Sequence, residues 1–234
     1  MALKSTIFKA ALQVADIDHG YYAEHALTLA RHPSETDERM MVRLAALAMH
    51  AHELVDVCRG DGTLAFGAGL SNPDDPDVAL TDFTGRKRLW VEVGQPDEKP
   101  LTRACSRADA VMVYAYGAAA EVWWRGIEHK LERLERLQVW RLASDQAQAL
   151  ASIAERSMQL QATIQEVSSR SAAIAAAHPS SRDVGSRSIA GSEDPPTFTV
   201  QRGTASTSVL RCERRRLTAS QRCSPSIADL RRSV

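Results

Sequence analysis

Residues 76–99 read PDVALTDFTGRKRLWVEVGQPDEK, and this stretch decides the fold. Two short runs rich in β-branched residues, 78–83 and 88–94, have the length of neighbouring strands. Thr84-Gly85 between them is turn chemistry, so the pair predicts a hairpin. Strand alternation puts Trp90, Glu92 and Gly94 on one face and Val91 and Val93 on the other. The two valines seek a core. Glu92, inside an otherwise apolar strand, needs a partner, a metal ion or water.

Just upstream, Asp77 opens the first strand directly after Pro76. Pro76-Asp77, fourteen residues, then Glu92-Val93-Gly94 resembles the PD-(D/E)XK nuclease signature. That resemblance implies two carboxylates at the split end of a hairpin holding a divalent cation, Mg2+ or Mn2+. Hard cations take oxygen ligands and keep several waters, so a pair of carboxylates suffices. The ion would polarise a phosphodiester and activate its own water. One position departs: the lysine of the signature falls at Gly94. A proline, an aspartate and a distant glutamate also coincide by chance in many chains, so other segments must reach the same place.

The segment 32–58, HPSETDERMMVRLAALAMHAHELVDVC, supplies one of them. His32-Pro33 ends a strand, and Ser34 with Asp37 three residues later has the pattern of a capping box. Met41, Leu44, Leu47, Ala48, Ala51 and Val55 recur at helical spacing, predicting an amphipathic helix of roughly six turns. Glu35, Asp37 and Glu38 crowd its first turn, where the helix dipole favours negative charge. The nuclease resemblance gives Glu38 a sharper role, as a third carboxylate on the cation, with Ser34 one turn away. His50 and His52 are two apart and share no helix face, so they are expected to be ordinary helix residues rather than ligands.

Before this helix, 3–14 and 21–29 read as strands joined at Asp16-Ile17-Asp18-His19-Gly20. After it, the glycine-rich 59–76 lacks the G-K-[ST] ending of a phosphate-binding loop and is expected to be a connector. Beyond the hairpin follow a helix at 97–107, a strand at 110–116 and a helix at 118–134. A strand at 137–142, a helix at 144–155 capped by Ser144, and a strand at 158–165 complete the pattern. Alternating strands and helices imply an α/β fold with parallel pairings, a mixed central sheet flanked by helices. Trp123 and Trp124 sit at helical spacing as core anchors rather than base-stacking platforms. Lys99 and Arg103, four apart on one helix face, are the candidates to return the missing cationic group. Arg103 suits phosphate binding better than water activation, because a guanidinium does not release its proton.

With 234 residues, 44% hydrophobic and 25% charged, the chain is long enough for one good-sized domain and a tail. It has no run of eighteen apolar residues, and its first residues lack a signal-peptide pattern. Cysteines at 58, 105, 212 and 223 form no C-x-x-C pair, which points to a reducing cytoplasm. Residues 1–166 carry 18 Lys+Arg against 24 Asp+Glu, so bulk charge does not favour nonspecific nucleic-acid binding.

TLARHPSETDERMMVRL (28–44), LWVEVGQPDEKPLTRACSRAD (89–109), VYAYG (113–117), EVWW (121–124) and MQLQATIQE (158–166) resemble the YaeQ family in order and spacing. The resemblance runs from Met1 to about Glu166 and implies a compact variant of the PD-(D/E)XK, restriction-endonuclease-like fold. It implies a polar cluster of Ser34, Glu38, Asp77, Glu92, Gln95 and Lys99. The function it suggests is a divalent-metal-dependent phosphodiesterase acting on nucleic acid, as a monomer. The alternative is a non-catalytic, regulatory member that binds nucleic acid or protein.

Residues 167–234 are a different text, with fourteen serines, eleven arginines and no lysine. Their composition predicts disorder, and the loss of family sequence in mid-hairpin is read as a reading-frame shift. The strand at 158–165 then lacks its partner and exposes an edge. The competing expectation is that 197–200 returns to pair with it.

Overall fold

The computed structural model describes residues 5–68, 70, 72, 74–166, 196–202 and 206–215, the last segment by its backbone alone. Where the sequence alternates, the chain is extended. In β1 (Thr6–Asp16) every second residue from Phe8 to Asp16 is buried, so Asp16 ends the strand on its core face. A tight turn with Gly20 at φ +63° leads into β2 (Tyr21–Arg31), antiparallel to β1 over its whole length.

Helix α1 (Asp37–Met49) is shorter than its periodicity predicts and starts elsewhere. Thr36, not Ser34, is the N-cap: its Oγ1 accepts the Arg39 amide at 3.2 Å. Nor is the helix one-sided, since every residue from Met40 to Met49 is buried, Arg43 included. It stops at His50, whose amide is shared between Ala46 and Leu47 carbonyls, and the chain turns before the single-turn α2 (Glu53–Asp56). The apolar periodicity continues past this break, which is why it overstated the helix.

The glycine-rich connector contains a strand, β3 (Gly62–Phe66), which pairs antiparallel with β4 (Val78–Asp82). The central hairpin forms as expected, β4 antiparallel to β5 (Lys87–Val93), with Val78 opposite Val91 and a register shift at Leu80/Thr81. Its turn is fastened by Asp82, whose Oδ1 accepts from Thr84 N, Thr84 Oγ1 and Arg86 N. Then come α3 (Glu98–Arg107), β6 (Ala108–Tyr116), α4 (Ala120–Leu131), β7 (Leu137–Leu142), α5 (Ser144–Ser152) and β8 (Ser157–Glu166). Ala143 rather than Ser144 precedes α5 as its cap residue. The run β5–β6–β7 is parallel, and β8 is parallel to β1.

The expectation of an unpaired edge at β8 is overturned. Pro196–Arg202 forms β9, antiparallel to β8, with Thr199 opposite Thr163 and Phe198 opposite Ile164. Ser206–Arg215 forms β10, which joins β9 to β7. The reason is a short alternation in TFTV that bulk composition hides: Phe198 and Val200 are fully buried. The rest of the expected disordered tail, 167–195, 203–205 and 216–234, lies outside the described residues.

The strands make one mixed sheet in the order β2-β1-β8-β9-β10-β7-β6-β5-β4-β3. Helix α1 lies in the larger core with Leu12, Val91, Val93, Tyr114 and Leu160. Trp90, Val111 and Val113 point to the opposite face and pack with Leu101, Trp124, Ile127 and Leu131 of α3 and α4. The alternation of Trp90 against Val91 and Val93 is therefore real, and it divides two cores. Among the described residues no helix is long and apolar enough to cross a membrane.

Candidate functional site

The open end of the β4–β5 hairpin is fixed by Asp77. Its amide donates to Val91 O at 2.9 Å, and its Oδ2 accepts the Val93 amide at 2.8 Å. These bonds straddle Glu92. Asp77 is only 2% exposed, and a buried carboxylate needs a countercharge. Arg39 supplies it: one guanidinium nitrogen, Nη2, bonds both Asp77 oxygens at 2.8 and 2.7 Å. The other, Nη1, bonds Glu35 Oε1 at 2.9 Å. Arg43 lies one turn on, with Nε 3.2 Å from Glu35 Oε1 and Nη1 3.9 Å from Asp77. Glu35 Oε2 accepts the His32 amide.

Glu35, Arg39, Arg43 and Asp77 thus form a network of two acids and two bases beneath the start of α1. Burial opposes the Arg39 charge, yet Asp77 and Glu35 hold its pKa above the ordinary value. Burial pushes the Asp77 carboxyl up, and Arg39 and the Val93 amide oppose that rise. Both its oxygens accept from the Arg39 guanidinium, which favours the ionised form.

Glu92 is the exception. Burial raises its pKa to about 7, reinforced by the Asp77 charge and opposed by Arg39 and by the Trp90 indole, which donates to Oε1 at 2.7 Å. Near neutrality it is half protonated.

The remaining expected residues divide into those that reach this site and those that do not. Glu38 is half-buried on the first turn of α1, and its charge is felt at the Tyr116 phenol together with those of Arg39 and Glu35. Gln95 donates to the Tyr116 carbonyl at the end of β6. Ser34 is exposed and turned to His32 Nδ1 at 2.6 Å. Arg103 pairs with Asp74 at 2.6 Å, both about half exposed. Lys99 is exposed on the first turn of α3 and makes no hydrogen bond or ion pair with the described residues. Tyr116 and Arg39 therefore link Glu38, Asp77, Glu92 and Gln95, while Ser34, Lys99 and Arg103 stand apart.

Gly94 explains part of the departure from the nuclease signature. Its φ is +116°, a conformation that L side chains rarely adopt, and its amide donates to Tyr114 O at 3.0 Å. A lysine in this backbone would be strained.

Three carboxylates with no thiol or imidazole suit an oxygen-seeking cation such as Mg2+. Glu92 is raised chiefly by burial, with the Asp77 charge adding to it. By donor chemistry the residues fit the ion, with Arg39 as the resident competitor for Asp77. The expectation of a tight three-carboxylate cage is corrected, however. Among the described residues, the one group of three His, Cys, Asp or Glu whose ligand atoms all lie within 4.8 Å is Asp16, His19 and His52. Sequence reasoning missed the network of Glu35, Arg39 and Arg43, although the four-residue spacing puts Arg39 and Arg43 on one stripe of α1 with Glu35 just before its cap.

The YaeQ protein family model matches residues 1–181. The YaeQ protein of Salmonella typhi is 44% identical over 167 residues, and that of Escherichia coli K12 41%. Each match covers 71% of this chain and 87% of the relative. The crystal structure of YaeQ from Xanthomonas axonopodis pv. citri superposes with a TM-score of 0.71 at 34% identity, covering 91% of this chain and 99% of that one. YaeQ from Pseudomonas syringae gives 0.69 at 28% identity, over 90% and 95% of the respective chains.

Proposed function

The chain belongs to the YaeQ family, and from that premise we propose that it is a divalent-cation-dependent phosphodiesterase of the PD-(D/E)XK type, acting on nucleic acid. The observation that carries this reading is the placement of Asp77 and Glu92 at the open end of the hairpin, where the Asp77 amide bonds Val91 O and its carboxylate accepts from the Val93 amide, on either side of Glu92. Asp77 and Glu92, with Glu38 on the first turn of α1, are the residues that would hold Mg2+ or Mn2+. A bound dication there supplies a Lewis acid for a phosphodiester oxygen and an acidified water as nucleophile. Arg39 must give up Asp77 for this, which frees a planar guanidinium to take a phosphate oxygen pair. Gln95 stays anchored on the Tyr116 carbonyl and fixes the loop after β5. Lys99, unengaged at the start of α3, is the cation left to approach the leaving group.

A second reading, a non-catalytic member that binds nucleic acid or protein, is favoured by one observation: Arg39 already saturates both Asp77 oxygens. Calorimetric titration of the full chain with Mg2+ and Mn2+, beside cleavage assays on DNA and RNA, separates the two. The catalytic reading expects metal binding and metal-dependent cleavage, both lost in Glu92→Ala. It also expects slower cleavage with metal affinity retained in Lys99→Ala. No heat with either ion, or cleavage that survives Glu92→Ala, overturns it.

A further inference from the structure

The other end of α1 holds a second cluster. Asp16, at the end of β1, is fully buried, and three nitrogens face its carboxylate. The His19 amide lies at 3.1 Å, the His19 Nδ1 at 3.0 Å from both oxygens, and His52 Nδ1 at 3.2 Å from Oδ2. The two imidazoles stack with centroids 3.6 Å apart and planes 11° from parallel. They come from distant segments, the β1–β2 turn and the turn after α1. We propose that Asp16, His19 and His52 form a binding site for a transition-metal dication of the zinc type, whose open coordination position faces an adjoining, partly open cavity.

Three independent features support it. First, the ligand atoms are close enough to share one ion once the stacked rings turn so that both Nδ1 lone pairs point at it. The three ligand atoms all lie within 4.8 Å of one another, and zinc bonds of ~2.0–2.2 Å set tetrahedral ligand atoms roughly 3.3–3.5 Å apart. Second, His52 Nδ1 is buried and is not aligned for a hydrogen bond to the carboxylate it faces. A cation shared with Asp16 would give that nitrogen an aligned partner. Third, the site opens on a cavity of about 130 Å³ lined by the same three residues with His50, Glu53 and Tyr114. That is room for more than one water.

Glu53 strengthens the case. Its side chain is 7% exposed, with Oε1 bonded to His50 Nδ1 at 2.8 Å, while Oε2 is buried with no hydrogen-bond partner among the described residues. His50 Nε2 in turn meets the Tyr114 hydroxyl at 2.8 Å. A buried carboxylate oxygen beside a cavity calls for a proton donor within it, such as a metal-bound water. Two imidazoles and one carboxylate select zinc, copper or nickel over magnesium. Three protein ligands with a fourth position open to solvent is the arrangement of reactive rather than purely structural zinc sites.

The test is titration of the tag-free, chelator-treated full chain with Zn2+ by calorimetry and with Co2+ by visible absorption. The expected result is one ion per chain and cobalt d–d bands of a low-coordinate site. His19→Ala, on the exposed turn, should lower zinc affinity at least ~100-fold, beyond the ~10–100-fold typical of outer-shell partners. His52→Ala should do the same. Because either variant removes a partner of the buried Asp16, each is expected to melt lower than the parent in chelator and is checked for retained secondary structure by circular dichroism. Glu92→Gln should leave zinc binding unchanged, so failure here and failure of the phosphodiesterase reading are distinguishable. Absence of zinc binding, or binding that both histidine variants retain, overturns the site. So does binding that Glu92→Gln removes.

Discussion

The two ends of α1 bury similar polar groups and treat them differently. At the N-terminal end the chain supplies its own cations: Arg39 and Arg43 meet Glu35 and Asp77, and only Glu92 is left short of positive charge. At the C-terminal end the groups are the carboxylates of Asp16, Asp18 and Glu53 and three imidazoles around a cavity. Each end has one nitrogen, Arg43 Nε or His52 Nδ1, that faces a carboxylate at 3.2 Å without an aligned hydrogen bond, and only the C-terminal end adds a carboxylate oxygen, Glu53 Oε2, with no hydrogen-bond partner among the described residues. A network closed by arginines can be stable without a ligand, whereas a network with atoms left over asks for one. The difference teaches where an external ion completes the structure and where it must compete for a place.

The largest expected effect comes from breaking the closed end. Arg39→Ala leaves Asp77 and Glu35 as buried, poorly paired carboxylates, a loss that typically costs about 3–5 kcal/mol. Urea unfolding should show a loss of that size. Mg2+ should restore part of it in the variant while shifting the parent less, because in the parent Arg39 already neutralises Asp77. Arg39→Ala combined with Asp77→Asn should recover stability relative to Arg39→Ala alone, since the two sites share one interaction. If Mg2+ has no effect on Arg39→Ala, the Asp77 carboxylate is not a metal ligand.

Glu92 gives the next effect, with a definite sign in pH. Its pKa is raised from 4.5 to about 7 in the folded protein. Below pH 4.5 both folded and unfolded forms are protonated and the group costs nothing. Between 4.5 and 7 the unfolded form ionises first, so stability falls, and above 7 the full cost is present. The shift corresponds to at most about 3 kcal/mol, less with solvent screening. Glu92→Gln should therefore stabilise the protein at pH 8 and change little at pH 4.5. Urea midpoints that show the same difference at both pH values would contradict a buried, titrating carboxyl.

The open end is softer. Tyr114→Phe removes the hydroxyl that meets His50 Nε2 and leaves that nitrogen facing the cavity. A buried group left unpaired costs ~1–3 kcal/mol. The expected loss is at the lower part of this range, because a cavity water can replace the hydroxyl. A loss as large as that of Arg39→Ala would show that the His50–Glu53 chain is as tightly closed as the arginine network.

Much of this was legible in the sequence, and the misses have physical causes. Strand alternation located the β4–β5 hairpin and the opposite faces of Trp90 and Val91, because burial on both faces enforces period two. The proximity of Asp77 and Glu92 followed from that hairpin. What periodicity could not show was that α1 stops at Met49, since its apolar pattern runs on through a turn of a different geometry. That turn carries His52 away from the helix and toward Asp16, so a pair dismissed for sharing no helix face gains a common target through tertiary structure. Glu38 was chosen over Glu35 by analogy, yet Glu35 is the acid that the helix start buries. The strand at Pro196–Arg202 was obscured because four alternating residues carry little weight in a polar segment of 68.

The smallest effect concerns the hinge between the helix start and the closed network. Thr36 caps α1 by accepting the amide of Arg39, the residue whose side chain clamps Asp77, and its hydroxyl also meets the Tyr116 phenol. Thr36→Ala should cost about 1 kcal/mol, the usual value of a lost side-chain cap. Stability is the less informative readout, since any capped helix would lose as much. Loosening the first turn should also loosen the Arg39 clamp and make Asp77 easier to claim, so Mg2+ affinity should rise even as stability falls. Thr36→Ser retains the hydroxyl and should restore both. Opposite movement of the two quantities would tie the cap to the cation site, whereas a fall in both would show that Thr36 positions Glu38 rather than restraining Arg39.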